Sequence, residues 1–245
     1  ATNFNTWTAI TPVVNLNLHA ADYGLAKFIA VGAGGSIIYS TDSKIWTQSA
    51  KITTQNLNAL SATGNLAIAV GDNGAIVTSK DAITWTAASS VPTSAHLYGI
   101  AYTNAGTWVA VGAGGTILTS GDGLTWTAQN SGSTADLKAV GSIASFTNNV
   151  TSYQFIVVGA NGTILSSPDA ITWTAQSANT KANFNALAST NQFLAVGSGG
   201  TVVTSLDGIT WKTQASQTTA NLTSLLRAEN MYIAVDNSGG TIYSK

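Results

Sequence analysis

The sequence predicts an all-β chain folded as a six-bladed β-propeller of four-stranded antiparallel blades. Three observations carry that expectation. One stretch recurs along the chain, each copy has a hydrophobic period of two, and the two termini hold complementary halves of one more copy. The stretch reads VGAGGSIIYSTDSKIW at residues 31–46, VGDNGAIVTSKDAITW at 70–85 and VGAGGTILTSGDGLTW at 111–126. It returns at 158–173 and 196–211, and a sixth copy opens at Val235 and has not reached its Trp by Lys245. At the other end, Asn3-Phe4-Asn5-Thr6-Trp7-Thr8 reads like Asp81-Ala82-Ile83-Thr84-Trp85-Thr86. Six units then close into a ring if the N-terminal strand completes the last blade.

Each unit supplies four short strands. In the second they are expected at 57–62, 66–71, 75–79 and 84–87, rich in Val, Ile, Thr and Trp and separated by Gly, Asn and Asp. The second and third strands join through Ala33-Gly34, Asp72-Asn73, Ala113-Gly114, Ala160-Asn161 or Ser198-Gly199, read as tight hairpin turns. A unit of about 40 residues that cannot bury both faces alone is one propeller blade. The whole chain is expected as one domain, with blades near 14–48, 55–88, 95–128, 135–175, 182–213, and 220–245 completed by 3–9.

Composition narrows the function. Of 245 residues, 44% are hydrophobic and only 8% charged, against roughly 25% charged in an average soluble domain. With nine Lys and Arg in all and a net charge of −1, no basic field exists to recruit nucleic acid. No apolar run approaches the roughly 20 residues of a membrane span, so membrane insertion is not expected. The chain has no cysteine, which removes disulfides and thiolate chemistry. No cleavable signal is visible at Ala1.

The runs Ser-x-Asp-x-x-x-Trp recur at Asp42/Trp46, Asp81/Trp85, Asp122/Trp126, Asp169/Trp173 and Asp207/Trp211. They resemble the Asp-box (BNR) repeat of sialidases, sortilin-type receptors and photosystem II assembly-factor propellers. Trp7 takes the same place in the split blade, where Asn3 replaces the Asp. The resemblance implies a propeller, and it spans enzymes, receptors and scaffolds. The Asp residues are read as structural, accepting hydrogen bonds from backbone N–H groups in a tight turn, and the Trp residues as packing. A sialidase needs a cluster of arginines and a Tyr/Glu pair, whereas Arg227 and Glu229 are the only residues of their kinds here. A glycosidase would have to use Asp72, Asp136 and Asp236, which share one face but lie in alternate blades. His19 and His96 are too few for a metal centre, and no cofactor is expected.

The candidate ligand site is the channel mouth. Polar–apolar–polar triplets enter the innermost strands: Asn15-Leu16-Asn17, Asn56-Leu57-Asn58, His96-Leu97-Tyr98, Asp136-Leu137-Lys138, Asn183-Phe184-Asn185 and Asn221-Leu222-Thr223. Their outer members would form two polar rings at the mouth, able to donate and accept hydrogen bonds. Blades 3 and 4 break the pattern with His96, Tyr98, Asp136 and Lys138, and Tyr102 and Trp108 add aromatics to blade 3. The expected function is a non-enzymatic, secreted or cell-surface propeller that binds a neutral carbohydrate or a protein surface there. The alternative is an assembly or scaffold factor with a protein interface, and an Asp-dependent glycoside hydrolase is the third reading.

Overall fold

The computed structural model describes residues 17–103, 105–147, 150–228 and 231–244. Blade 1 comprises β1 (Leu18–Gly24), β2 (Lys27–Gly32), β3 (Ser36–Ser40) and β4 (Thr47–Gln48). Blade 2 comprises β5 (Leu57–Ala62), β6 (Ala67–Gly71), β7 (Ile76–Ser79) and β8 (Thr86–Ala87). Blade 3 comprises β9 (Leu97–Tyr102), β10 (Trp108–Gly112), β11 (Ile117–Ser120) and β12 (Thr127–Gln129). Blade 4 comprises β13 (Leu137–Thr147), β14 (Val150–Gly159), β15 (Ile164–Ser167) and β16 (Thr174–Gln176). Blade 5 comprises β17 (Phe184–Ser189), β18 (Phe193–Gly197), β19 (Val202–Ser205) and β20 (Lys212–Gln214). Blade 6 comprises β21 (Leu222–Ala228), β22 (Met231–Asp236) and β23 (Thr241–Tyr243).

These are six antiparallel sheets in chain order, the sixth three-stranded among the described residues, and they make a six-bladed β-propeller. Innermost strands of successive blades lie side by side, from β1 beside β5 through to β17 beside β21. The second strand of each blade is sandwiched between neighbours. It therefore reads as a continuous apolar run, as in Ala67–Gly71, where every residue is buried. The expected closing strand at 3–9, with Trp7, lies outside the described residues.

The core sits in the seams between blades. In the seam of blades 2 and 3, Ile68, Val70 and Ile76 pack against Leu97, Trp108, Leu118 and Trp126. The same positions recur between blades 1 and 2, where Ile29, Val31 and Ile37 meet Leu57, Val77 and Trp85. Trp108, expected near the ligand site, is a core residue, with its ring 4.8 Å from that of Tyr102. The pair closes the far end of the β9–β10 ladder, away from His96 and Tyr98.

The turn between the second and third strands differs from the expected two-residue hairpin. It is a three-residue turn whose last two residues are both left-handed, as at Gly114 (φ 61°) and Gly115 (φ 78°). Asn73 and Asn161 take the first of those places, since Asn tolerates this conformation. The second place is Gly in all five turns because the next segment crosses directly above it. A Cβ on Gly115 would lie 1.8 Å from the Ser133 carbonyl oxygen.

Candidate functional site

Register fixes the triplets. Leu57 pairs with Gly71, Leu97 with Gly112, Leu137 with Gly159, Phe184 with Gly197 and Leu222 with Asp236. In blade 1 the partner of Gly32 is Leu18, so the triplet there is Asn17-Leu18-His19. This corrects the expectation of Asn15-Leu16-Asn17 by two residues. Asn15 lies outside the described residues, and Asn17 moves from the last to the first place.

The first place of the triplet mostly closes a turn of the preceding blade. Asn56 Oδ1 accepts from Gly34 N–H (2.9 Å), Asn183 Oδ1 from Asn161 N–H (2.9 Å) and Asn221 Oδ1 from Gly199 N–H (3.0 Å). Asp136 does the same with Gly114 N–H at 3.1 Å. Blade 3 departs: His96 Nδ1 lies 3.1 Å from Asp72 Oδ1, on the turn of blade 2.

The last place of each triplet is a β-bulge, where the register slips by one residue. A bulge re-aims its side chain, and no sequence pattern announced it. In three blades that side chain is spent on the neighbouring blade. Asn58 Nδ2 donates to Leu97 O (3.0 Å) and Asn185 Nδ2 to Leu222 O (2.8 Å), while His19 Nδ1 lies 3.0 Å from Leu57 O. Thr223 Oγ1 donates to Val235 O of its own blade at 3.3 Å. Tyr98 and Lys138 make no such link. Lys138 Nζ sits 3.5 Å from the centroid of the Tyr98 ring and 3.2 Å from Asp136 Oδ2.

Blades 2 to 4 thus carry one contiguous polar cluster: Asn56, Asn58, Asp72, His96, Tyr98, Asp136 and Lys138. Asp72 accepts from Asn58 Nδ2 (2.8 Å) and Asn56 Nδ2 (2.9 Å). The Asn58 amide foremost, then Asn56 and His96, hold its carboxyl below the usual range. Asp136 is lowered first by the Gly114 N–H and then by Lys138. Burial, followed by the Asp136 and Asp72 carboxylates, raises the Tyr98 phenol, so it stays a neutral donor. Both carboxylates are engaged within the fold, and the half-exposed His96, the Tyr98 hydroxyl and the Lys138 ammonium face a ligand as donors. Asp236 turns inward on its own loop, accepting from Ser238 N–H and Gly240 N–H at 2.8 Å. Among the described residues no group of three His, Asp or Glu could hold a metal ion.

The five Ser-x-Asp turns share one geometry. Asp122 Oδ1 accepts from Leu124 N–H (2.8 Å), Thr125 N–H (2.9 Å) and Ser120 Oγ–H (3.1 Å). Asp42, Asp81, Asp169 and Asp207 repeat it. The backbone N–H groups lower all five carboxyls, Asp207 to about 2. The residue after each Asp is left-handed, including Ser43, Ala82 and Ala170 where no glycine stands. Trp126 Nε1 donates to the Gly123 carbonyl within the same turn, at 3.2 Å.

The fold and this rim define the class, a β-propeller with a polar channel mouth. No protein-family model and no curated protein matches the chain. Solved structures do. A structure of YCF48 bound to D1 peptide superposes with a TM-score of 0.74 at 21% identity, covering 98% of this chain and 82% of that one. The computationally designed Ika8 protein follows with a TM-score of 0.69 at 16% identity, covering 92% and 70%. YCF48 from Cyanidioschyzon merolae gives 0.52 at 15%, covering 96% of each. At these identities the likeness is one of fold.

Proposed function

We propose that this chain is a non-enzymatic propeller of the Asp-box type that binds an extended segment of a protein partner across the channel mouth at blades 2 to 4. One observation carries the reading: the bulge side chains of blades 1, 2 and 5 are tied to a neighbouring blade, whereas Tyr98 and Lys138 are not. Backbone carbonyls of an extended segment would accept from the His96, Tyr98 and Lys138 donors. That YCF48, a propeller of similar fold, has been solved with a D1 peptide supports the same class of partner. The neutral-glycan expectation finds less support. Lys138 covers one face of Tyr98, the aromatic at this rim, and a sugar ring would need such a face to stack upon. The near-neutral surface rich in Thr, Ser and Asn is consistent with a secreted or cell-surface setting for this binder.

An array of 15-residue peptides probed with the labelled chain, followed by titration calorimetry on the hits, tests the reading. Tyr98→Ala combined with Lys138→Ala should weaken a hit by about tenfold or more, the loss of roughly 1.4 kcal/mol. Hits indifferent to both substitutions, or binding confined to a glycan array, would overturn it.

A further inference from the structure

The largest groove of the described surface lies between blades 5 and 6, with a volume of about 480 Å³. Leu194, Val196 and Val202 of blade 5 form one wall, and Tyr232, Ala234 and Ile242 of blade 6 the other. The preceding seams show what belongs there. At the positions equivalent to Leu194, Val196 and Val202, blade 4 offers Ile156, Val158 and Ile164, and these pack against Trp211. Trp85, Trp126 and Trp173 fill the same place in the three earlier seams. The turn before each Trp also presses on the preceding blade. A Cβ on Gly208 would lie 2.5 Å from Ile156 Cδ1, and one on Gly123 would lie 2.5 Å from Ile68 Cδ1. Among the described residues nothing follows Tyr243 to supply either the turn or the indole to blade 5. Beside the groove, β23 pairs with β22 alone, so its outer edge is a free template for another strand.

We infer that this groove is a strand-accepting site and that its occupant is residues 3–9 of the same chain, with the Trp7 indole seated between Val196 and Tyr232. The sequence of that segment argues for it, because Asn3–Thr8 match 81–86, the stretch that supplies the equivalent turn and Trp of blade 2. Register follows from blade 5. There Thr204 pairs with Leu194 on one side and with Lys212, the residue after Trp211, on the other. Tyr243 pairs with Ile233 in the place of Thr204. Thr8, the residue after Trp7, is therefore the partner of Tyr243, and Ala9 is the partner of Ile242. The inference does not depend on the ligand proposed for the channel mouth, which lies on the opposite face from the Ser-x-Asp turns.

The chain has no cysteine, so a pair of introduced ones reports on this register without background. In the full chain, Thr8→Cys with Tyr243→Cys should oxidise to an intramolecular disulfide, seen as a monomer of altered mobility on a non-reducing gel. The offset pair Thr6→Cys with Tyr243→Cys should cross-link far less. Failure of the first pair to form, equal yields from both pairs, or a cross-linked dimer in place of the monomer would overturn the assignment. A second measurement needs no cysteine: replacing Trp7 by Phe should remove an emission component shielded from iodide. If the component lost is freely quenched, the indole is in water and the inference fails.

Discussion

Two seams of the ring make the same contacts on paper and differ in how tightly they close. Between blades 2 and 3, Leu97 is fully buried, Trp126 nearly so, and Val70 and Trp108 complete a dry layer. Between blades 6 and 1 the equivalent residues are Leu18, Trp46, Val235 and Phe28. Leu18 is 45% exposed, whereas Leu57, Leu97, Leu137, Phe184 and Leu222 are all 0% exposed. Val235 and Phe28 are each 37% exposed, and Trp46 is only half-buried. Residue type is nearly the same in both seams. The difference teaches that the repeat supplies the apolar surface, while each blade's burial depends on having a complete neighbour.

That contrast can be put to the test, beginning with its strongest consequence. Trp126→Ala should destabilise the fold by about 3–5 kcal/mol, since the buried indole leaves a cavity against Ile68, Val70 and Ile76. Trp46→Ala should cost about 1 kcal/mol, because its seam is already open to water. Equal shifts in thermal unfolding would erase the distinction between the seams. A second comparison is smaller. Leu97→Ala should cost about 2–4 kcal/mol, and Leu18→Ala about 1 kcal/mol or less, measured by urea titration.

The smallest effect concerns pH, and there the two seams should agree. Asp42 and Asp122 make the same bonds to backbone N–H groups, and both carboxyls are lowered by them. A carboxyl lowered in the folded state stabilises it above the unfolded value, near 4, and that contribution is lost as pH falls through the folded value. For Asp207 the window runs from about 4 down to about 2. Unfolding midpoints should therefore fall as pH drops below 4, and Asp42→Asn and Asp122→Asn should flatten that fall alike. An acid response confined to Asp122 would mean that seam packing, and not the turn, sets the shift.

Much of the fold could be read directly from the chain. The strands expected in blade 2 at 57–62, 66–71, 75–79 and 84–87 differ from those observed by no more than two residues at any end. Gly, Asn and Asp punctuate an otherwise uniform run of β-branched and apolar residues, so the boundaries are sharp. The triplet of blade 1 was harder. In Asn15-Leu16-Asn17-Leu18-His19 a slip of two residues keeps every side chain on its face, so alternation cannot choose between the two readings. Pairing of Leu18 with Gly32 chooses. Trp108 was misplaced for a similar reason: its alternation is right, but the end of the blade it occupies is set by the β9–β10 ladder. His96, Tyr98, Asp136 and Lys138 stood out as departures from the repeat, yet their union with Asp72 crosses three blades.

The repeat by itself determined the architecture, because hydrophobic period, turn residues and copy number act within one blade or between identical neighbours. Tertiary structure decided which polar side chains are consumed and which are left to a ligand. That choice rests on bulges and on bonds between residues some 20 to 40 positions apart, such as Asn58 to Leu97 and Gly114 to Asp136. Such bonds follow from the angle at which one blade meets the next, a quantity that no local pattern of residues encodes.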